Sequence, residues 1–181
     1  MTENDRPIPR PNEPIRSSEL PWQDFTGLSP RFGARLRPLA DHGGATAMGF
    51  SIWELPPGRQ SCPFHSHRIE EEHFFVLEGR CVLRTGKAGE EDKRRDMAAG
   101  DYVCFPADTG VAHAFLNPFA EPCRLIVAGT PRRDRNEVCI YPDSGKALVR
   151  GLGKMIPLPS ESLEYLHGED GDTPVPLREE D

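Results

Sequence analysis

The chain has 181 residues, which is room for one domain with tails rather than two domains. Its 22 Lys and Arg stand against 29 Asp and Glu, a net charge of -7, and this argues against nucleic acid or an anionic membrane as a partner, since both select a basic footprint. No apolar run approaches the roughly 20 residues that span a bilayer, and the polar, proline-rich start holds no secretory apolar stretch, so a cytoplasmic protein is expected.

Residues 1–22 contain Pro7, Pro9, Pro11, Pro14 and Pro21. Proline at that density blocks regular helix and predicts an extended arm. Residues 23–156 read as one β domain. Short runs rich in Val, Ile, Phe and Leu recur between Gly, Pro and Asp: 47–55, 73–77, 80–84, 101–105, 112–116, 124–128 and 137–141. That spacing fits an all-β sandwich or barrel, and no stretch of the core keeps a helical period. The charged segment 87–96 reads as an exposed loop between hairpin strands. Residues 157–181 carry an acidic excess around the single Arg178 and read as a solvated tail, with room for a short helix over 160–166.

The cysteines, Cys62, Cys81, Cys104, Cys123 and Cys139, show no CxxC spacing. Buried, reduced thiols are expected. There is no GxSxG motif, and Gly151–Lys154 lacks P-loop spacing, so serine hydrolase and P-loop chemistry find no support.

Four of the six histidines fall in two windows. In the first, His65 and His67 are two apart, so on a strand both imidazoles share a face. Their Cα atoms would lie about 6.6 Å apart at about 3.3 Å per residue, close enough for two ring nitrogens to meet on one ion. Glu72 opens the next strand with Phe74 and Val76 on its face. Glu71 takes its place if the intervening turn is one residue shorter. In the second window His113 shares a face with Phe115 and Asn117. His73 faces the other side of its strand and, like His42 and His167, reads as an ordinary surface or core residue. Glu70 reads as solvated and Asn117 as structural.

These windows resemble the two signature motifs of the cupin superfamily. Gly58, His65, His67, Glu72 and Gly79 fit the first, with one extra residue before His65. Gly100, Pro106, Gly110, His113 and Asn117 fit the second, with two extra residues before Gly110. The resemblance implies a single jelly-roll β-barrel and one divalent transition metal per chain, Mn, Fe, Ni or Zn, held by His65, His67, Glu72 and His113. The stretch Glu137–Asp143 loosely resembles a subgroup of small bacterial cupins called sugar-phosphate isomerase-like.

Phe74, Phe115 and Tyr141 are the expected substrate contacts, and Arg132, Arg133 and Arg135 read first as a solvated loop and second as an anion clamp. The function expected is a metal-dependent enzyme of isomerase or lyase type on a small molecule. An iron-dependent dioxygenase and a non-enzymatic sensing cupin are the alternatives. No residue is singled out as a general acid or base. A homodimer is expected, with the arm covering a neighbour's sheet edge.

Overall fold

The computed structural model describes residues 9–25, 30–130 and 136–158. The expectations for Arg132, Arg133, Arg135, His167 and the short tail helix lie outside the described residues.

All the paired strands run antiparallel, and an isolated bridge between Phe32 and Gln60 is parallel. A six-stranded sheet has the order β1 (Gln23–Asp24), β2 (Arg35–Arg37), β3 (Gly49–Leu55), β10 (Cys123–Gly129), β5 (Glu72–Glu78), β8 (Tyr102–Phe105). A second sheet runs β7 (Lys93–Ala98), β6 (Arg80–Gly86), β9 (Ala112–Leu116). A third runs β13 (Lys154–Pro157), β12 (Lys146–Val149), β11 (Val138–Tyr141), β4 (Ser66–His67). Among the described residues one short α-helix, α1 (Leu39–Gly43), interrupts the strands. No helix among the described residues is long and apolar enough to cross a membrane.

Alternation explains the core. On β5 the residues Glu72, Phe74 and Val76 are buried, while His73, Phe75 and Leu77 face outward. Trp53 and Leu55 on β3, Leu125 and Val127 on β10, and Phe105 on β8 complete the inner face of the large sheet. Cys81 and Leu83 on β6, Met97 on β7 and Phe115 on β9 close over it from the facing sheet. All five cysteines are free thiols.

The hairpin between β5 and β6 turns on Gly79. Its φ is +78°, and a Cβ there would lie 2.5 Å from the Pro122 carbonyl oxygen, so no other residue fits. Pro106 directly follows β8, where a residue with no N–H to give ends the ladder.

The structure differs from the sequence reading in three places. The charged stretch 87–96 is loop only in its first half, because β7 begins at Lys93. Its residues Lys93–Asp96 are all exposed, so the strand carries no alternation to betray it. The arm is not wholly extended: Ser17–Glu19 form a 3-10 turn. Its described part lies on its own chain, with Leu20 buried and Arg10 N donating to His42 O at 2.8 Å. β12 and β13 extend the third sheet beyond the strands expected.

Candidate metal centre

Three elements meet at one end of the sandwich. β4 and the residue before it carry His67 and His65, β5 starts with Glu72, and β9 carries His113. His65 and His113 face each other across a two-way backbone bridge. His113 N donates to His65 O at 2.8 Å, and His65 N to His113 O at 3.2 Å. That pairing brings their rings to 4.9 Å between centroids, and the His65 and His67 rings stand 4.7 Å apart.

One ligand atom each from His65, His67 and Glu72 falls within a common 4.8 Å. His113 joins through Glu72, with its Nε2 3.0 Å from Glu72 Oε2. His67 Nε2 lies 3.2 Å from the same oxygen. Beyond these ring–carboxylate contacts neither His67 Nε2 nor Glu72 Oε2 has a hydrogen-bond partner, although both are buried. Buried polar atoms are rarely left so. Two orphaned atoms converging beside two more imidazoles fit a cation, and nitrogen with carboxylate oxygen is the donor set of a divalent transition metal.

The side chains are held from behind. His65 Nδ1 lies 2.9 Å from Pro63 O, so it carries the proton and leaves Nε2 for the cavity. Burial and the neighbouring His113 and His67 push its pKa down to about 3, keeping the ring neutral. Burial alone would push His67 down, but Cys139 and Glu72 raise it to about 10. Burial likewise opposes ionisation of Glu72, yet His113 and His67 hold its carboxyl well below the usual range. The His113 ring stacks on Phe105, 4.0 Å between centroids.

Behind His67 sits a polar nest that the sequence reading missed. Its Nδ1 faces Glu70 Oε2 at 3.3 Å, Glu137 Oε1 at 3.4 Å and Cys139 Sγ at 3.5 Å. Glu137 is fully buried and accepts the backbone N–H groups of Arg68, Ile69 and Glu70 at 3.0, 3.0 and 2.7 Å. Glu70, expected in solvent, is 2% exposed and paired with the Arg150 guanidinium. A run of three glutamates signals water in a sequence, and for Glu70 the contacts with Arg150 and His67 reverse it.

The centre opens into a cavity of about 250 Å³. Phe74, Phe115 and Tyr141, the three expected substrate contacts, all line it. Tyr141 lies parallel to the His65 ring at 5.8 Å. Glu70, Glu72 and Arg150 supply carboxylates and a guanidinium to a wall that is otherwise largely aromatic, with Ser61, Cys62, Pro63, Cys139 and Leu148 between the rings. Glu71 does not enter: it is exposed on the outer side with His73. Asn117 is structural as expected. Its Nδ2 donates to Leu55 O and Glu121 O, and its Oδ1 accepts from Phe119 N.

Known proteins share this fold. Residues 51–129 match the family model of the cupin domain. A sugar phosphate isomerase of the cupin superfamily from Silicibacter pomeroyi is 30% identical, over 63% of this chain and 68% of its own, with a TM-score of 0.57. A protein from Acidithiobacillus ferrooxidans, provisionally designated a sugar phosphate isomerase, is 26% identical over 90% of this chain and 92% of its own, with a TM-score of 0.66. A predicted oxalate decarboxylase from Thermotoga maritima, 21% identical over 65% of this chain and 98% of its own at a TM-score of 0.52, shares the fold. No curated protein matches. The chain belongs to the cupin superfamily.

Proposed function

We propose that this cupin is a metal-dependent enzyme of isomerase or lyase type, acting on a small oxygenated molecule, with sugar phosphates as the leading substrate class. The observation that carries this reading is the convergence of His65, His67 and Glu72 at the head of a cavity, with His67 Nε2 and Glu72 Oε2 buried 3.2 Å apart. His113 is the fourth ligand. The names borne by the two relatives from Silicibacter pomeroyi and Acidithiobacillus ferrooxidans support the substrate class.

A divalent ion held there supplies Lewis acidity to a substrate carbonyl or hydroxyl. The chain supplies the rest. Phe74 and Phe115 keep water from the reacting atoms, which strengthens every charge interaction in the cavity. Tyr141 offers an aromatic face beside His65. Of the two carboxylates lining the cavity, Glu70 is held by Arg150. Glu72 is therefore the carboxylate that would serve as ligand to a bound ion or as base toward a substrate proton. Arg150 is the lining guanidinium placed to meet an anionic end of the substrate.

The test is exchange of a substrate carbon-bound hydrogen with deuterated water, followed by NMR with aldose and ketose phosphates. Metal-loaded protein should catalyse exchange, and His113→Ala should not. Metal-loaded protein that exchanges no hydrogen in any of them refutes this reading and leaves a binding cupin. Oxygen uptake by the iron-loaded protein would instead identify a dioxygenase.

A further inference from the structure

The geometry points to a second metal site, on the outer face of the large sheet, formed by Glu71, His73 and Cys104. It is independent of the cavity and faces away from it. His73 and Cys104 are direct partners in the β5–β8 register, and directly opposed residues of an antiparallel pair share a face. Phe75 pairs with Tyr102 one step further on that face, which puts the phenol within reach of the imidazole. Ligand atoms of Glu71, His73 and Cys104 all lie within 4.8 Å of one another.

The imidazole is already oriented for an ion. Its Nδ1 lies 2.7 Å from the Tyr102 hydroxyl, and its Nε2 lies 2.9 Å from Glu71 Oε1. With Nδ1 donating to the phenol oxygen, Nε2 is the ligating atom, the arrangement in which an outer partner fixes a metal-bound histidine. An ion would take the place of the contact Nε2 now makes with Glu71 Oε1. Glu71 is anchored as well. Its N donates to Thr130 Oγ1 at 3.2 Å, and its carbonyl accepts from Thr130 N at 3.0 Å. The side chains of His73 and Glu71 are 36% and 48% exposed, so an ion reaches them from solvent.

Imidazole, thiolate and carboxylate together select a zinc-like ion, with water completing a tetrahedron. Glu72 lies between Glu71 and His73 in the chain. An ion on the outer face clamps, from behind, the stretch of β5 that presents Glu72 to the cavity.

The experiment is titration of the full-length protein with Co²⁺, read by the cobalt–thiolate charge-transfer band, with Zn²⁺ as competitor. The expected result is a cobalt equivalent that carries the band and is displaced by Zn²⁺. That equivalent is lost in Cys104→Ser and in His73→Ala, and retained in His65→Ala. No thiolate band in the wild type would overturn the proposal. A band that persists in Cys104→Ser would overturn it too, because the thiolate would then be another cysteine. Failure of the cavity site shows instead as unchanged metal in His65→Ala, so the two assignments fall separately.

Discussion

His67 Nδ1 lies 3.4 Å from Glu137 Oε1, while its Nε2 faces the cavity beside Glu72. One carboxylate thereby governs both a ligand and the turn that follows it, since Glu137 also accepts three backbone N–H groups from residues 68–70. Partners of this kind, behind the ligands, typically contribute 10–100-fold to metal affinity. Glu137→Gln should therefore weaken metal binding by about that factor while the protein stays folded. Glu137→Ala removes the acceptor of the Ile69 and buried Glu70 N–H groups, while Arg68 N keeps Val138 O. The buried donor left over costs about 1–3 kcal/mol, which should lower the melting temperature. Metal affinity equal to wild type in Glu137→Gln would show that His67 needs no such support.

Gly129 packs directly against the backbone that carries Glu71 and Glu72. A Cβ there would sit 2.1 Å from the Glu71 carbonyl oxygen and 3.2 Å from the Glu72 Cα. Neither atom is the end of a flexible side chain, so the strand itself must move. Gly129→Ala should destabilise by about 1–3 kcal/mol, the range for overpacking, and should lower metal content along with stability. Urea unfolding followed by elemental analysis reads both. A variant as stable as wild type contradicts this packing.

Glu54 gives the fold an acid-sensitive element away from the site. Burial would raise its pKa, but Arg35 and Arg124 more than offset that and hold the carboxyl below its ordinary value of 4.5. Its folded pKa is thus depressed relative to the unfolded chain. The stabilisation is present above pH 4.5 and is lost as pH falls through the folded value. Glu54→Gln should flatten that part of the wild-type stability profile and leave the slope near neutral pH unchanged. Parallel profiles for the two proteins below pH 4.5 would show that the pair with Arg35 and Arg124 contributes nothing there.

The strands that bury one face were legible because apolar residues alternate along them. Glu72, Phe74 and Val76 on β5 are the clearest case. β7 and β13 were not: four consecutive charged residues open β7, and every residue of β13 is exposed. Their strand character comes from the neighbours they pair with, Arg80–Thr85 and Lys146–Val149. The same division holds at the site. His65, His67, Glu72 and His113 stand out locally through their spacing. Glu137 and Arg150 reach the site from beyond the motifs, and nothing near them in sequence marks them as part of it. Glu70 was misread because its partner Arg150 lies 80 residues away. His73 was rightly set apart from the cavity, yet its cross-strand neighbour Cys104 was invisible without the β5–β8 register.

The central claim is that His65, His67, Glu72 and His113 hold one divalent transition metal. The direct measurement is elemental analysis of protein purified without chelator or affinity metal, made in the Cys104→Ser background so that the outer thiol contributes nothing. The account predicts one equivalent per chain, falling to less than a tenth when His67→Ala is added, with an unchanged far-ultraviolet circular dichroism spectrum. A full equivalent retained in the His67→Ala protein, or none in its parent even after reconstitution with Mn, Fe, Ni and Zn, would contradict it.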